Sequence, residues 1–127
     1  MDLSSYFQNT KGLGVLSTAD SQGNVDSAVY ARPHIMEDGT LALIMRDRLS
    51  HLNLQSNPRA AYLYKEEGPG YRGKRFFMTK VGEEQDQDKI RSLSRRLYAD
   101  DEKGRQEAKF LVYFRIDKEL PLIGPGK

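Results

Sequence analysis

The stretch Arg46-Asp47-Arg48-Leu49-Ser50-His51-Leu52-Asn53-Leu54-Gln55-Ser56-Asn57-Pro58-Arg59 decides how this chain is read. An apolar run, Leu41 to Met45, comes before it and reads as a buried strand. Two arginines follow, then Ser50, a residue type favoured at helix N-caps, so a short helix is expected over 50–57. Pro58 cannot continue that helix, and a second apolar run begins at Ala60. A helix start exposes unpaired backbone N–H groups and the positive end of the helix dipole. Arginines beside such a start make a place for a phosphate. The plainer reading is a solvated loop and an ordinary cap.

Working outward, Leu3, Tyr6 and Phe7 recur at helical spacing, and Gly12 and Gly14 stop the helix they imply over 3–10. Leu13 to Thr18 reads as a first strand. The cluster Asp20-Ser21-Gln22-Gly23-Asn24 is a turn that leads into a second strand from about Val25 to Met36. Alternation puts Val25, Ser27, Val29 and Ala31 on one face of it and Ala28, Tyr30, Arg32 and His34 on the other. A face carrying Tyr, Arg and His is not an ordinary core face, and Pro33 within the run points to an edge or a bulge. Thr40 to Met45 is the third strand.

Downstream of the helix, Ala60 to Tyr64 is a fourth strand, Lys65 to Lys74 a glycine-rich loop and Arg75 to Val81 a fifth strand. Asp86 to about Tyr98 is a helix with Ile90, Leu93 and Leu97 on its apolar stripe and Arg91, Arg95 and Arg96 outside it. Asp100 to Lys103 is a charged loop, Phe110 to Ile116 the last strand, and the proline-bearing tail from Leu120 to Lys127 is not expected to be regular. About six strands and three helices, joined by turns, argue for antiparallel pairing. A chain of this size closes such a sheet into a barrel or half-barrel. The expected class is α+β: a six-stranded, mostly antiparallel split β-barrel.

At 127 residues the chain is expected to form one domain spanning 1–127. A net charge of only +2 does not indicate a strongly basic nucleic-acid binder. There is no cysteine, which excludes disulfides, thiolate nucleophiles and cysteine-ligated metals. The start has no basic region followed by an apolar run, and no stretch reaches the roughly 20 apolar residues of a membrane helix, so a cytoplasmic location is expected. The two histidines, His34 and His51, are isolated, and no hydrolytic triad or zinc spacing is present. The run Gly68 to Arg75 is not a phosphate loop of the nucleotide-hydrolase type, because Arg75 follows the Gly-Lys pair.

Val29-Tyr30-Ala31-Arg32-Pro33, the turn Glu37-Asp38-Gly39-Thr40, the apolar strand and then Leu49 to Arg59 together resemble the pyridoxamine 5′-phosphate oxidase-like superfamily of FMN-binding split barrels. The ordered set carries the resemblance over about Gly12 to Val81, and the strand at 110–116 fits the last barrel strand. The resemblance implies a homodimer with FMN at the subunit interface. It places the phosphate against Arg46, Arg48, Leu49, Ser50 and His51, and the ring against Val29, Tyr30, Ala31 and Arg32. Many members carry a basic pair where this chain has Leu49-Ser50, so the charge is expected from Arg46 or Arg48. The long oxidases also have a C-terminal substrate-binding segment with no obvious counterpart here. The implied activity is FMN-dependent hydride or electron transfer with no catalytic side chain. The alternative is a non-enzymatic module that binds flavin, deazaflavin or haem on the same barrel. An excess of aromatics (Tyr62, Tyr64, Phe76, Phe77, Tyr113, Phe114) also hints at an interface.

Overall fold

The computed structural model of the chain describes residues 2–94 and 108–124. Their elements run α1 (Leu3–Asn9), β1 (Gly12–Ala19), β2 (Val25–Tyr30), β3 (His34–Ile35), β4 (Leu41–Arg46), α2 (Leu49–Ser56), β5 (Arg59–Glu66), β6 (Gly73–Glu84), α3 (Gln87–Leu93) and β7 (Lys109–Pro121). The class is α+β, as expected. The strands form one curled antiparallel sheet of seven, in the order β2-β1-β5-β6-β7-β4-β3, rather than the six expected.

The extra strand comes from the run 25–36, which the sequence suggests is continuous. Pro33 has no N–H to give to a ladder, and pairing stops before it. β2 pairs with β1, whereas β3 pairs with β4 through His34↔Ala42 and Ile35↔Leu41. The two pieces therefore lie at opposite ends of the sheet while only residues 31–33 join them. Four residue steps from Tyr30 to His34 reach at most about 14 Å. The ends of the sheet must meet, and the sheet must curl.

The curl creates an interior packed by Phe7, Leu16, Met45, Tyr62, Phe76 and Phe114, all of them fully buried. Four of the six aromatics that hinted at an interface (Tyr62, Tyr64, Phe76 and Phe114) are buried within this single chain, so that count needs no partner. Phe77 alternates outward and is 42% exposed. A smaller cluster of Ala42, Ile90 and Leu111 packs α3 on the outer side of β4 and β7, so β7 is covered on both faces.

Three boundaries differ from expectation. α3 ends at Leu93, where Ser94 turns to an extended conformation, and the expected continuation with Arg95, Arg96, Leu97 and Tyr98 lies outside the described residues. The loop expected at 100–103 and the last three residues also lie outside them. β7 runs on through Leu120 and Pro121, because the proline stands at the strand's final position, where a missing donor costs nothing.

The 31–33 crossover is tied down from within. Tyr62 donates its hydroxyl to the Ala31 carbonyl at 3.0 Å, and Arg32 Nη1 donates to the Phe7 and Gln8 carbonyls at the end of α1, at 2.9 and 3.2 Å. The Tyr62 contact needs Gly14, where an added Cβ would collide with the Tyr62 hydroxyl and sit 2.7 Å from the Tyr30 carbonyl oxygen. Gly14→Ala is accordingly expected to destabilise the fold by roughly 1–3 kcal/mol through overpacking. A urea midpoint equal to that of the wild type would contradict this.

Candidate functional site

β3 covers only Leu41 and Ala42, so the edge of β4 from Leu43 to Arg46 has no strand beside it among the described residues. The outer edge of β2 is likewise unpaired with any described strand. These two edges face one another across the split in the barrel. A cavity of about 640 Å³ opens there, lined along its length by Ala28, Val29, Tyr30 and Ala31 on one side and Leu43, Ile44 and Arg46 on the other. A strand edge presents alternating N–H and C=O groups, so the cavity offers backbone donors and acceptors along both walls.

One end of the cavity is basic. Arg46 ends β4, and Arg48 is the N-cap of α2, with Leu49 and Ser50 beginning the helix. Ser50 is not the cap that the sequence suggests. It sits in the first turn, 3% exposed, and donates its hydroxyl to Asp26 Oδ2 at 3.3 Å. No side chain caps α2, so its first-turn N–H groups lack the partner that a cap would supply. Burial raises the Tyr30 phenol above its ordinary range, against the opposing influence of a hydrogen bond with Ser50. Arg32 and His34 line the cavity near the crossover, at the opposite end of β2 from Asp26.

α2 is held in an unusual way. Its buried side carries Ser50, His51, Asn53 and Leu54, whereas Leu49 and Leu52 are 54% and 64% exposed. Asn53 Nδ2 donates to Thr18 Oγ1 at 3.1 Å, tying the helix to β1. His51 stacks on Phe110 with ring centroids 3.9 Å apart. Its Nε2 meets Glu83 at 3.0 Å, and its Nδ1 lies 3.4 Å from Asp47. Gln55 and Lys80 also donate to Glu83. This polar underside fixes where the helix start points.

Eight of the nine residues singled out in the sequence line this one cavity: Val29, Tyr30, Ala31, Arg32, Arg46, Arg48, Leu49 and Ser50. His51 does not line it, because its ring is turned under the helix to Glu83 and Phe110. Arg59 lies outside the cavity lining, exposed at the start of β5. Sequence reasoning missed Asp26, Leu43, Ile44, Ser94 and Lys109, which also line the cavity. Asp26 was within reach, since it falls on the same alternating face as Ala28 and Tyr30. Lys109 was not, because its place depends on the register between β4 and β7. Among the described residues no group of three or more metal-ligating side chains comes together.

No known family profile matches the chain, and no curated protein matches it in sequence. Solved structures match it closely in shape. An FMN-binding protein from Syntrophomonas wolfei superposes with a TM-score of 0.76 at 20% identity, over 96% of this chain and 84% of that one. A Lactobacillus delbrueckii protein named for pyridoxamine 5′-phosphate oxidase gives 0.66 at 17% identity, over 92% and 88%. The chain has the fold of the pyridoxamine 5′-phosphate oxidase-like split barrels. The styrene monooxygenase flavin reductase of Pseudomonas putida gives 0.58 at 9% identity, over 95% and 85%. No described helix of this split barrel is long and apolar enough to cross a membrane.

The pairing beneath α2 has a measurable signature. Burial opposes charge on Glu83, but hydrogen bonds from Lys80, His51 and Gln55 outweigh it and hold the carboxyl at about 2, against an ordinary 4.5. A depressed carboxyl stabilises the fold fully above its unfolded value and loses that stabilisation as the pH falls through its folded value. Stability is therefore expected to drop between about pH 4.5 and 2, by roughly 2 kcal/mol once solvent screening is allowed for. Glu83→Gln should remove this part of the slope, read as urea midpoints across that range. An unchanged slope would show that Glu83 is not its source.

Proposed function

We propose that this chain is an FMN-binding flavoprotein and an FMN-dependent oxidoreductase. The observation that carries the reading is the pairing of a basic, uncapped helix start with a slot walled by two open strand edges in a single cavity. Arg46, Arg48, Ser50 and the first-turn amides of α2 would hold the phosphate. Val29, Tyr30, Ala31 and Arg32 would border the ring, with backbone groups facing its polar edge and Tyr30 and Ile44 giving apolar surface. FMN supplies hydride or electron transfer when bound, and the chain contributes binding, orientation and electrostatics. The FMN-binding and flavin-reductase proteins among the structural neighbours support this reading.

We also propose that the working form is a homodimer. Val29, Val15 and Leu63 form a cross-strand apolar row on the outside of β2, β1 and β5, and Val29 and Leu63 are 70% and 38% exposed. Val25, Leu49 and Leu52 extend the exposed apolar surface. This surface is continuous with the cavity through Val29 and Leu49, so a second copy seated on it would close the open side of the ligand site. Solution scattering that gives a monomer mass at micromolar concentration would overturn the dimer.

The purified protein is expected to show flavin absorption bands and to release FMN on denaturation. A colourless protein that does not take up added FMN would sink the flavin reading, while a chromophore other than FMN would favour a haem or deazaflavin. The double variant Arg48→Ala, Ser50→Ala should weaken FMN binding by several kcal/mol, at ~1–3 kcal/mol for each lost contact. Unchanged affinity would mean that the phosphate lies elsewhere.

A further inference from the structure

We propose that Asp26, on β2, is a specificity-determining residue of the cavity, which weakens the preference for a phosphorylated over an unphosphorylated flavin by holding the Ser50 hydroxyl proton away from the phosphate. This assignment rests on the flavin reading of the cavity. Asp26 shares the cavity-facing side of β2 with Ala28 and Tyr30, and it is the one carboxylate among the described residues that line the cavity. It is half-buried beside the start of α2, where its Oδ2 accepts from Ser50 Oγ at 3.3 Å. Among the described residues Asp26 forms no ion pair, so its charge is not cancelled by a salt bridge.

A serine hydroxyl has one proton and two lone pairs, and an ionised carboxylate has no proton to give back. Ser50 spends its proton on Asp26. The hydrogen bond between Ser50 and Tyr30 must then use the phenol's proton. Burial raises the Tyr30 phenol above its ordinary range, and the negative charge of Asp26 adds to this, so that proton stays on the phenol at neutral pH. Both hydroxyl protons thus run toward Asp26, and neither is turned to an anion at the helix start. A phosphate that takes the Ser50 proton strips a half-buried carboxylate of its donor and also meets a like charge. Asparagine at position 26 reverses both effects at the same shape. It is neutral, and its amide N–H can donate to Ser50 Oγ, which frees the serine proton for the phosphate.

The test compares FMN with riboflavin, which lacks the phosphate, using wild type, Asp26→Asn, Ser50→Ala and the double variant. Affinities are read from flavin fluorescence quenching, and circular dichroism checks the fold of each variant. Asp26→Asn is expected to bind FMN about tenfold more tightly and riboflavin within about twofold of wild type. In the Ser50→Ala background the same substitution should gain only about threefold, because the charge effect remains and the proton effect is gone. Asp26→Ser, a second neutral variant, should shift FMN affinity in the same direction. An FMN affinity that is unchanged or lower, an equal gain for both flavins, or a gain undiminished in the Ser50→Ala background would overturn the assignment and leave the flavin reading standing. Wild type and Asp26→Asn that both bind neither flavin would overturn the two together, whereas FMN binding by Asp26→Asn alone would support both.

Discussion

The short link Ala31-Arg32-Pro33 is the constraint on which the rest of the structure depends. It joins the two terminal strands of a seven-stranded sheet, so the sheet has no choice but to curl until its ends meet. Its backbone is held by Tyr62 from the interior, and the Arg32 side chain clasps the last turn of α1. Closure is incomplete because β3 is only two residues long. The remaining length of β4 faces β2 without a strand between them, and that gap is the cavity. Fold and site thus share one cause: a proline placed where one strand must stop and the next must begin elsewhere.

α2 shows how the site is held rigid. Its local pattern would favour Leu49 and Leu52 as the buried stripe, yet the helix turns its polar side inward. Asn53 with Thr18, and His51 with Glu83 and Phe110, replace apolar packing by directional bonds. Directional bonds specify orientation more narrowly than apolar contact does. The position of the helix start beside the cavity is thereby set by bonds rather than by apolar fit, against what its local pattern would favour.

This also sets what the sequence could reveal. The apolar run Leu41 to Met45, the turn at 20–24 and the alternation in β6 were legible because burial follows a period of two in strands. The cavity's long walls were legible for the same reason, since Tyr30 and Arg32 stand out on a strand face. The division of 25–36 between two sheet ends was not legible, because nothing local to Pro33 says where the next strand pairs. Ser50 read as a cap because serine favours caps, but its hydroxyl is claimed by Asp26, a partner 24 residues earlier. The resemblance sets His51 among the phosphate contacts, while its ring partners Glu83 and Phe110 belong to distant strands that nothing local to the helix reveals. Lys109 was invisible for the same reason as the register that seats it.

That register gives β7 a further significance. In the sheet order, β2, β1, β5 and β6 form one group and β4 with β3 another, and among the described strands β7 is the one that pairs with both. Apart from β7, the two groups are connected by the crossover, by the helices α1 and α2 and by side chains that meet in the core. During synthesis the segments that carry the cavity's arginines and its aromatic wall leave the ribosome before the strand that welds them. The nascent chain therefore carries the early walls of the cavity before it carries the cavity itself. Only when Lys109 and the strand behind it dock between β4 and β6 do the parts acquire a common geometry.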